Sequence, residues 1–212
     1  MNIVLIGASG YVGAPLLKEA ASRGHRVTAL VSNPAKIPAT SNATVLAANV
    51  LDTAALAAQL KGHDAVISAF SGHAQADIRD YYVKGIRSII DAVRQSGVPR
   101  LLVVGGAASL EVAPGVLLLD TPQFPAQWRP TAAGALEALG ILREEKQIDW
   151  TFFSPSAHLE PGQRTGVFRL GTDQLLQDAN GESRISLEDY AVAMIDELER
   201  PAHSRRRFTV GY

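Results

Sequence analysis

Short, almost continuously apolar runs alternate along the chain with longer segments in which apolar positions recur every three or four residues. Each apolar run predicts a buried β-strand, and these runs are residues 3–6, 26–31, 44–46, 64–69, 100–104 and 149–153. Each periodic segment predicts an amphipathic helix, and these segments lie at about residues 12–20, 53–60, 78–96 and 131–146. Strands that are buried on both faces read as continuous apolar runs, so the alternation predicts a parallel sheet with helices on both sides.

The predicted architecture is an α/β, Rossmann-type, doubly wound parallel sheet in a single dinucleotide-binding domain that spans residues 1–212. We expect the strand order 3-2-1-4-5-6, with the ligand crevice between the first and fourth strands. Two long connections, residues 105–130 and 154–184, leave from the carboxyl ends of strands, which is the edge where ligands bind. Because connections of this length are usually functional, we interpret both as walls of a substrate pocket.

The first apolar run leads directly into a GxxGxxG turn formed by Gly7, Gly10 and Gly13. In dinucleotide sites the first glycine permits the tight turn, the second lets the backbone approach the pyrophosphate, and the third packs the helix closely on the sheet. The helix N-terminus then offers unpaired N–H groups to the phosphates. The predicted phosphate site also includes the intervening residues Ser9, Tyr11 and Val12. A merely tight strand-to-helix turn is the alternative, but the position directly after a strand favours nucleotide binding.

The second strand lacks the acidic residue that NAD sites place about 20 residues after the glycines to hold the ribose. No Asp or Glu occurs between Glu19 and Asp52, and the strand ends instead at Ser32 and Asn33. A carboxylate here would repel the 2′-phosphate of NADP(H), so the sequence favours NADP(H) over NAD(H). Ser32 and Asn33 could equally form a plain turn. Asp52 is placed to meet the adenine edge, or to cap the helix that begins at residue 53.

Composition limits the partners and the chemistry. The chain has 212 residues, is 47% hydrophobic, carries a formal net charge of -1 and contains no cysteine. It can bury a sheet and two helical layers, but it has no global basic field for nucleic acid or an anionic membrane. No apolar run reaches the roughly 18 residues of a membrane span, and no basic leader precedes the first strand. We therefore expect a cytoplasmic protein without nucleic-acid or membrane partners, and the oligomeric state stays open. Five scattered histidines without ligand spacing predict no metal site.

Several stretches resemble one known family. The Gly-Ala-Ser-Gly-Tyr-Val-Gly turn, residues 29–34, residues 103–110 and residues 150–155 are similar to those of the atypical short-chain dehydrogenase/reductases. More narrowly, they resemble the bacterial NADH-flavin reductases, which are relatives of biliverdin reductase B and of NmrA-like proteins. The resemblance runs over essentially the whole chain, although relatives often carry an arginine at the position of Ser32. It implies that the cofactor lies along Asp52, Phe70, Ser71, Gly105 and Pro155, with Pro155 near the nicotinamide.

A catalytic pair used by ketone-reducing relatives is absent. In that YxxxK pair a lysine lowers the pKa of a tyrosine that protonates the alkoxide. No lysine of this chain has a tyrosine four residues before it, and Tyr81 and Tyr82 near Lys84 are interpreted as packing residues. A flavin, a quinone or a linear tetrapyrrole needs no such pair, because it delocalises the incoming charge and can take its proton from solvent. The absence therefore favours a conjugated acceptor.

Aromatic and polar side chains in the long connections are candidates for the pocket. Phe124 and Trp128 in the first connection, and Phe153 and His158 around the second, could line it. Phe153 and Trp128 could equally be packing residues. The candidate catalytic residues are Ser109, where the superfamily keeps a serine, and His158, which could orient substrate, donate a proton or be plain surface. The basic run at residues 205–207 is interpreted as a solvated face.

Two classes of function follow. In the first, the chain is an NAD(P)H-dependent reductase that passes hydride to a small-molecule acceptor such as FMN, FAD, a quinone or a similar conjugated compound. In the second, it is an NmrA-like regulatory protein that senses the dinucleotide without turning it over. A third, weaker possibility is an isomerase similar to NAD-dependent epimerases and dehydratases, whose acid/base pair is missing here.

Overall fold

Twelve strands, five α-helices and four short 3-10 helices make up the regular structure of residues 1–38, 43–73 and 75–212, which the computed structural model describes. The strands are β1 (Asn2–Ile6), β2 (Arg26–Val31), β3 (Ala43–Ala47), β4 (Ala65–Ser68), β5 (Arg100–Val104), β6 (Glu111–Ala113), β7 (Val116–Leu117), β8 (Asp149–Ser154), β9 (His158–Glu160), β10 (Arg169–Gly171), β11 (Arg184–Ser186) and β12 (Arg206–Gly211). The helices are α1 (Gly13–Ser22), α2 (Thr53–Leu60), α3 (Ile78–Ser96), α4 (Arg129–Glu144) and α5 (Leu187–Glu199).

Eight of these strands form the central sheet, in the order β10-β12-β8-β5-β4-β1-β2-β3. All neighbours pair in parallel except β10, which runs antiparallel to β12 at one edge. The predicted order 3-2-1-4-5-6 is confirmed, with β8 as the predicted sixth strand, and the Rossmann-type doubly wound α/β class is confirmed as well. The strand order reverses between β1 and β4, because the chain passes from β3 at one edge of the sheet to β4 on the other side of β1. The carboxyl ends of β1 and β4 therefore border the ligand crevice expected for this topology.

The sheet separates two apolar cores. One core packs α2, α3 and α4 against one face, and the other packs α1 and α5 against the opposite face. Side chains alternate between them along each strand, so that in β1 Val4 faces the first core whereas Ile3 and Leu5 face the second. The apolar runs are therefore continuous because both faces of the sheet are covered. Within the described residues, no helix combines the length and apolarity needed to cross a membrane.

The two long connections contain more regular structure than the sequence analysis predicted. Residues 105–130 include a hairpin of β6 and β7, and residues 154–184 include β9, which pairs in parallel with β11, and β10. The sequence analysis also missed α5. The start of α5 carries a capping signal, because the Ser186 side chain accepts a hydrogen bond at 3.0 Å from the Asp189 backbone N–H.

Residues 161–167, between β9 and β10, are tied to the helices beneath them. Arg164 donates to both carboxylate oxygens of Glu19 in α1 at 2.8 Å, and the backbone N–H groups of Thr165 and Gly166 donate to Asp189 in α5 at 2.8 Å. Hydrogen bonding from Arg164, opposed by desolvation and reinforced by Arg23, holds the pKa of the Glu19 carboxyl below its ordinary value of 4.5. These contacts fix one of the long connections on the body of the domain.

The lowered pKa of Glu19 predicts a pH dependence of stability. A carboxylate whose pKa is lowered by folding adds stability above its unfolded pKa, and this contribution is lost as the pH falls through the folded pKa. We expect the urea midpoint of the wild type to fall more steeply than that of Glu19→Gln between about pH 6 and about pH 3.5. All other carboxylates are common to both proteins, so their acid sensitivity cancels in the comparison. Parallel pH profiles would contradict the prediction.

Candidate functional site

The three glycines of the turn after β1 have different structural requirements. Gly7 has φ +79°, and a Cβ there would lie 2.5 Å from the Ala69 carbonyl oxygen. A Cβ on Gly13 would lie 2.1 Å from the Gly7 carbonyl oxygen, so α1 can begin this close to the turn only with glycine. A Cβ on Gly10 would meet only the Gly7 carbonyl oxygen within 4 Å, at 3.2 Å. Gly7 and Gly13 are thus required by the fold, whereas the exposed Gly10 leaves space for a ligand.

The first turn of α1 is open to an anion. Val12 occupies the N-cap position, and among the described residues no side chain caps the helix there. No acidic residue lies in the first turn either. The N–H groups at such a terminus and the helix dipole together favour a phosphate. With Gly10 exposed beside it, this turn has room for the pyrophosphate that the spacing of the glycines predicts.

Ser32, Asn33 and Asp52 are the residues predicted to contact the adenosine half of the cofactor. The backbone N–H of Gly7 donates to the Leu30 carbonyl at 2.8 Å, so the end of β2 is adjacent to the turn. Ser32 and Asn33 follow β2 and are exposed, and Asn33 accepts a hydrogen bond from Ala35 N–H at 3.1 Å. Asp52 is exposed and caps α2 by accepting from Ala55 N–H at 3.1 Å. Asn33 and Asp52 therefore have the local roles that the sequence analysis left open beside cofactor binding.

A cavity of about 690 Å³ opens at the carboxyl ends of β1, β4 and β5. This volume is in the range of pockets that bind small molecules and cofactors. Tyr11 and Val12 of the glycine turn belong to its lining, so the cavity is continuous with the proposed phosphate site. The full lining is Tyr11, Val12, Ala69, Phe70, Ser71, Gly72, His73, Ile78, Tyr82, Val104, Gly105, Gly106, Ala107, Ala108, Leu118, Thr121, Gln123, Phe124, Pro125, Trp128, Thr131, Ala132, Ala135, Ala157 and His158.

Aromatic rings form two walls of this cavity. Phe70, after β4, stacks on Tyr82 of α3 with the ring centroids 5.9 Å apart and the planes 6° apart. On the other wall, Phe124 is half-buried and Trp128 is half-exposed, at 51% of its surface. The Trp128 ring meets His73 edge-on at 6.2 Å. Such rings can hold a planar ligand by stacking.

The structure brings part of the predicted site together in this cavity. The predicted cofactor and pocket residues that line it are Tyr11, Val12, Phe70, Ser71, Gly105, Phe124, Trp128 and His158. Gly105 is needed here because a Cβ would lie 2.3 Å from the Phe152 ring. Pro155 is buried directly after β8, outside the lining but two residues from Ala157. Ser9 is half-buried within the glycine turn.

Phe153 is a correction to the predicted pocket. Its side chain is fully buried, and its ring is stacked between Tyr190, at 4.2 Å, and Phe208, at 4.0 Å. It belongs to the core between the sheet and α5, on the face opposite α3 and α4. The strand alternation that places Phe152 toward α3 and α4 necessarily turns Phe153 away from the cavity. The packing alternative stated for Phe153 is therefore the correct one.

Ser109 and the basic run are also corrected. Ser109 is buried, and its hydroxyl accepts a hydrogen bond at 3.0 Å from Arg207. It lines a second cavity, of about 640 Å³, rather than the one that adjoins the glycine turn. Arg207 is itself buried and pairs with Asp173, so the run at residues 205–207 is not simply a solvated face. The hydroxyl of Ser109 has a structural partner and does not face the larger cavity.

His158 lies at the cavity edge, exposed at the start of β9. The next residue, Leu159, accepts a hydrogen bond through its carbonyl from the Tyr11 hydroxyl at 3.1 Å. The glycine turn therefore holds β9 beside the cavity. This contact joins two regions that are 148 positions apart in the sequence.

The sequence analysis missed some lining residues, among them Tyr82, which it assigned to packing. Burial raises the pKa of the Tyr82 phenol, which keeps it protonated. A signal was present in Gly85, within α3, because a Cβ there would lie 2.2 Å from the Phe70 ring. A glycine inside a helix often marks such a close approach. Within the described residues, no cluster of His, Asp and Glu side chains could hold a metal ion.

Comparison with known proteins gives consistent matches over the whole chain. Residues 7–201 match the sequence family described as NAD(P)H-binding. The uncharacterized protein YwnB of Bacillus subtilis is 43% identical over 213 positions, covering 99% of this chain and 98% of YwnB. A proposed epimerase from Bacteroides thetaiotaomicron has a solved structure that is 48% identical, with a TM-score of 0.94 and coverage of 100% of this chain and 96% of that one. A proposed NADH-flavin reductase from Streptococcus pneumoniae is 32% identical, with a TM-score of 0.83 and coverage of 100% and 99%.

Proposed function

The chain belongs to the NAD(P)H-binding family, within the atypical short-chain dehydrogenase/reductase-like proteins that its motifs predicted, and from this premise we propose that it is an NAD(P)H-dependent reductase of a conjugated acceptor. One observation carries the proposal. The anion-binding turn around Gly10 and the aromatic cavity share Tyr11 and Val12, so a dinucleotide whose pyrophosphate lies at the turn would reach the cavity with its nicotinamide end.

Each part of the site has a role in this proposal. The N–H groups at the start of α1 hold the pyrophosphate, and Ser71 and Gly105 border the nicotinamide end. When bound, the reduced nicotinamide supplies the hydride. Phe70, Phe124 and Trp128 stack the acceptor and exclude water from its reacting face. Because a conjugated acceptor spreads the incoming charge, its proton can come from solvent at the cavity mouth, where His158 is exposed.

The experiment that tests the proposal measures oxidation of NADPH and of NADH by the purified protein with FMN, FAD, a quinone or biliverdin as acceptor. Loss of the reduced-cofactor absorbance that depends on both the acceptor and the protein supports a reductase. Tight cofactor binding without turnover of any acceptor would instead favour the NmrA-like regulatory function.

An epimerase is the second candidate, because the 48% identical relative from Bacteroides thetaiotaomicron is a proposed epimerase. Stoichiometry separates the two activities. A reductase consumes one reduced dinucleotide for each acceptor, whereas an epimerase returns its cofactor to the starting state and consumes none. The side chains that line the cavity include two histidines and two tyrosines, and the described lining offers no lysine to activate a tyrosine. This composition favours reduction.

We propose that NADP(H) is preferred and that its 2′-phosphate lies beside Ser32. Ser32→Arg should then tighten binding of NADPH relative to NADH by about 1 to 2 kcal/mol, or about 5- to 30-fold, through one added charge-assisted contact. Ser32→Glu, which changes the same exposed position, should shift the ratio in the opposite direction through repulsion. Calorimetric titration with both dinucleotides measures the ratio. An unchanged ratio in both variants would place the adenosine ribose elsewhere.

A further inference from the structure

The cavity beside the glycine turn is lined without fixed charge. Among its described lining residues there is no Asp, Glu, Lys or Arg. The ionisable side chains that it does contain are Tyr11, His73, Tyr82 and His158. Burial keeps the Tyr82 phenol neutral by raising its pKa, and His73 and His158 are exposed. An anionic group inside this cavity would therefore leave water without meeting a permanent cation, which is unfavourable.

The cations near the same end of α4 are outside the lining and have other contacts. Arg129 lies over the ring of Phe124, with its guanidinium carbon 5.8 Å from the ring centroid, and is exposed. Arg79 donates to Glu137 at 2.7 Å, so its charge is compensated. Neither guanidinium lines the cavity. The described lining of the cavity therefore carries no permanent charge, and both nearby guanidinium groups lie outside it.

The neutral polar groups of the lining suit carbonyl oxygens. Ser71 and Gln123, both exposed, offer a hydroxyl and an amide donor to a ligand, whereas the Thr121 hydroxyl already donates to the Leu118 carbonyl at 2.8 Å. The Thr131 hydroxyl is buried and has no hydrogen-bond partner among the described residues. Its oxygen has almost no accessible surface, so a ligand carbonyl would accept its hydrogen bond, and remove the cost of the unpaired hydroxyl, only after rotation of the side chain. Thr131 lies at the start of α4, three residues after the aromatic ring of Trp128.

The geometry points to an uncharged, planar quinone as the acceptor, and we propose that this class is preferred over acceptors that carry phosphate or carboxylate groups. This inference rests on the proposed reductase function. Stacked rings hold the planar quinone, and neutral donors meet its two carbonyl oxygens. The reaction balances: the hydride brings two electrons and one proton to the quinone, solvent supplies a second proton, and the products are a hydroquinone and the oxidised dinucleotide.

Two matched acceptor pairs test the inference with the full chain. Menadione is compared with 1,4-naphthoquinone-2-sulfonate, and riboflavin with FMN, so that each pair consists of an uncharged and an anionic member. The two naphthoquinones also differ in reduction potential, which acts on kcat, so KM carries the comparison of charge. We expect kcat/KM to be at least roughly tenfold higher for the uncharged member of each pair, mainly through KM. Equal or faster turnover of the charged members would overturn the inference and leave the reductase function intact.

Absence of turnover separates the reductase proposal from the proposal of an uncharged planar ligand. If no acceptor is turned over, the reductase function fails, and the same pairs are compared by equilibrium binding in the presence of NADP⁺, followed through the fluorescence of Trp128 and Trp150. Tighter binding of menadione and riboflavin than of their charged partners would still support an uncharged planar ligand. Equal or weaker binding of the uncharged members would overturn it.

A charge introduced into the lining provides a second test. Gln123 is exposed at the cavity edge, and Gln123→Arg adds a cation without removing an aromatic ring. We expect this variant to lower KM for the sulfonate at least roughly tenfold relative to menadione. The matched control Gln123→Met removes the amide without adding charge and should leave the ratio of the two KM values unchanged. An unchanged ratio in Gln123→Arg would contradict the assignment of this cavity to the acceptor.

Discussion

Gly10→Val should weaken binding of NADPH and NADH by at least about 100-fold while the fold remains intact. The reason lies in what surrounds this glycine. Its Cβ would meet only the Gly7 carbonyl oxygen, at 3.2 Å, and the new side chain would occupy the space beside the uncapped start of α1, where the pyrophosphate is expected. Calorimetric titration with each dinucleotide measures the loss of binding, and circular dichroism with thermal unfolding measures the integrity of the fold.

Gly140→Val is the matched control for this substitution. Gly140 is exposed on α4, and a Cβ there meets nothing within 4 Å. The control should bind both dinucleotides like the wild type, which shows that adding a valine to the surface is harmless in itself. Retained affinity in Gly10→Val would refute the placement of the pyrophosphate at this turn.

Gly13→Ala should lower the free energy of unfolding by roughly 2 to 3 kcal/mol, although it adds a single methyl group. A Cβ on Gly13 would lie 2.1 Å from the Gly7 carbonyl oxygen and 2.9 Å from its carbonyl carbon. Both are backbone atoms, so relief requires α1 to move away from the end of β1 and to lose contacts in the core. Urea unfolding of the purified variant measures the change.

Gly140→Ala makes the same chemical change at an exposed helical position and should change the free energy of unfolding in the opposite direction. With open space around the new methyl group, alanine reduces the entropy of the unfolded chain and is expected to raise the free energy of unfolding by about 0.5 to 1 kcal/mol. If Gly13→Ala were as well tolerated as Gly140→Ala, the close packing of α1 on the turn would be wrong.

Gly10→Val and Gly13→Ala separate two roles of the GxxGxxG motif, ligand binding and packing of the helix. Gly13, like Gly7, is required by neighbouring backbone atoms, whereas Gly10 has more space around it and is proposed to be required by the ligand. Destabilisation is expected at Gly13, and loss of binding without destabilisation at Gly10. The motif therefore contributes both to the stability of the domain and to the proposed cofactor site.

Local patterns predicted most of the sheet. The bounds of β2, β5, α2 and α3 agree with the apolar runs and helical periods of the sequence. The prediction of α4 was displaced by two residues at each end; its start lies earlier because Pro130 is accommodated in the first turn of the helix. Missing α5 had another cause. The helix begins after Ser186, at the end of a long connection without helical periodicity. No predicted strand or helix directly before it therefore indicated where it starts.

The candidate site was less predictable, because side chains from distant segments form it. Phe124 and Trp128, two of the predicted pocket residues, line the cavity, whereas Phe153 is turned into the opposite core by the alternation of β8. Tyr82 was assigned to packing, and its ring does stack on Phe70, but it also faces the cavity. Which of two adjacent aromatic residues faces a ligand depends on which helices cover each side of the sheet. The local sequence pattern does not predict which helices these are.

The sequence by itself determined the succession of strands and helices, the turn at Gly7 and the open position at Gly10, because hydrophobic periodicity and backbone freedom are properties of neighbouring residues. Only the tertiary structure decided that β9 is held beside the cavity by Tyr11, that Arg207 is buried against Ser109, and that the described cavity lining has no fixed charge. These features join residues far apart in the chain, and their contacts exist only after the sheet has brought the segments together.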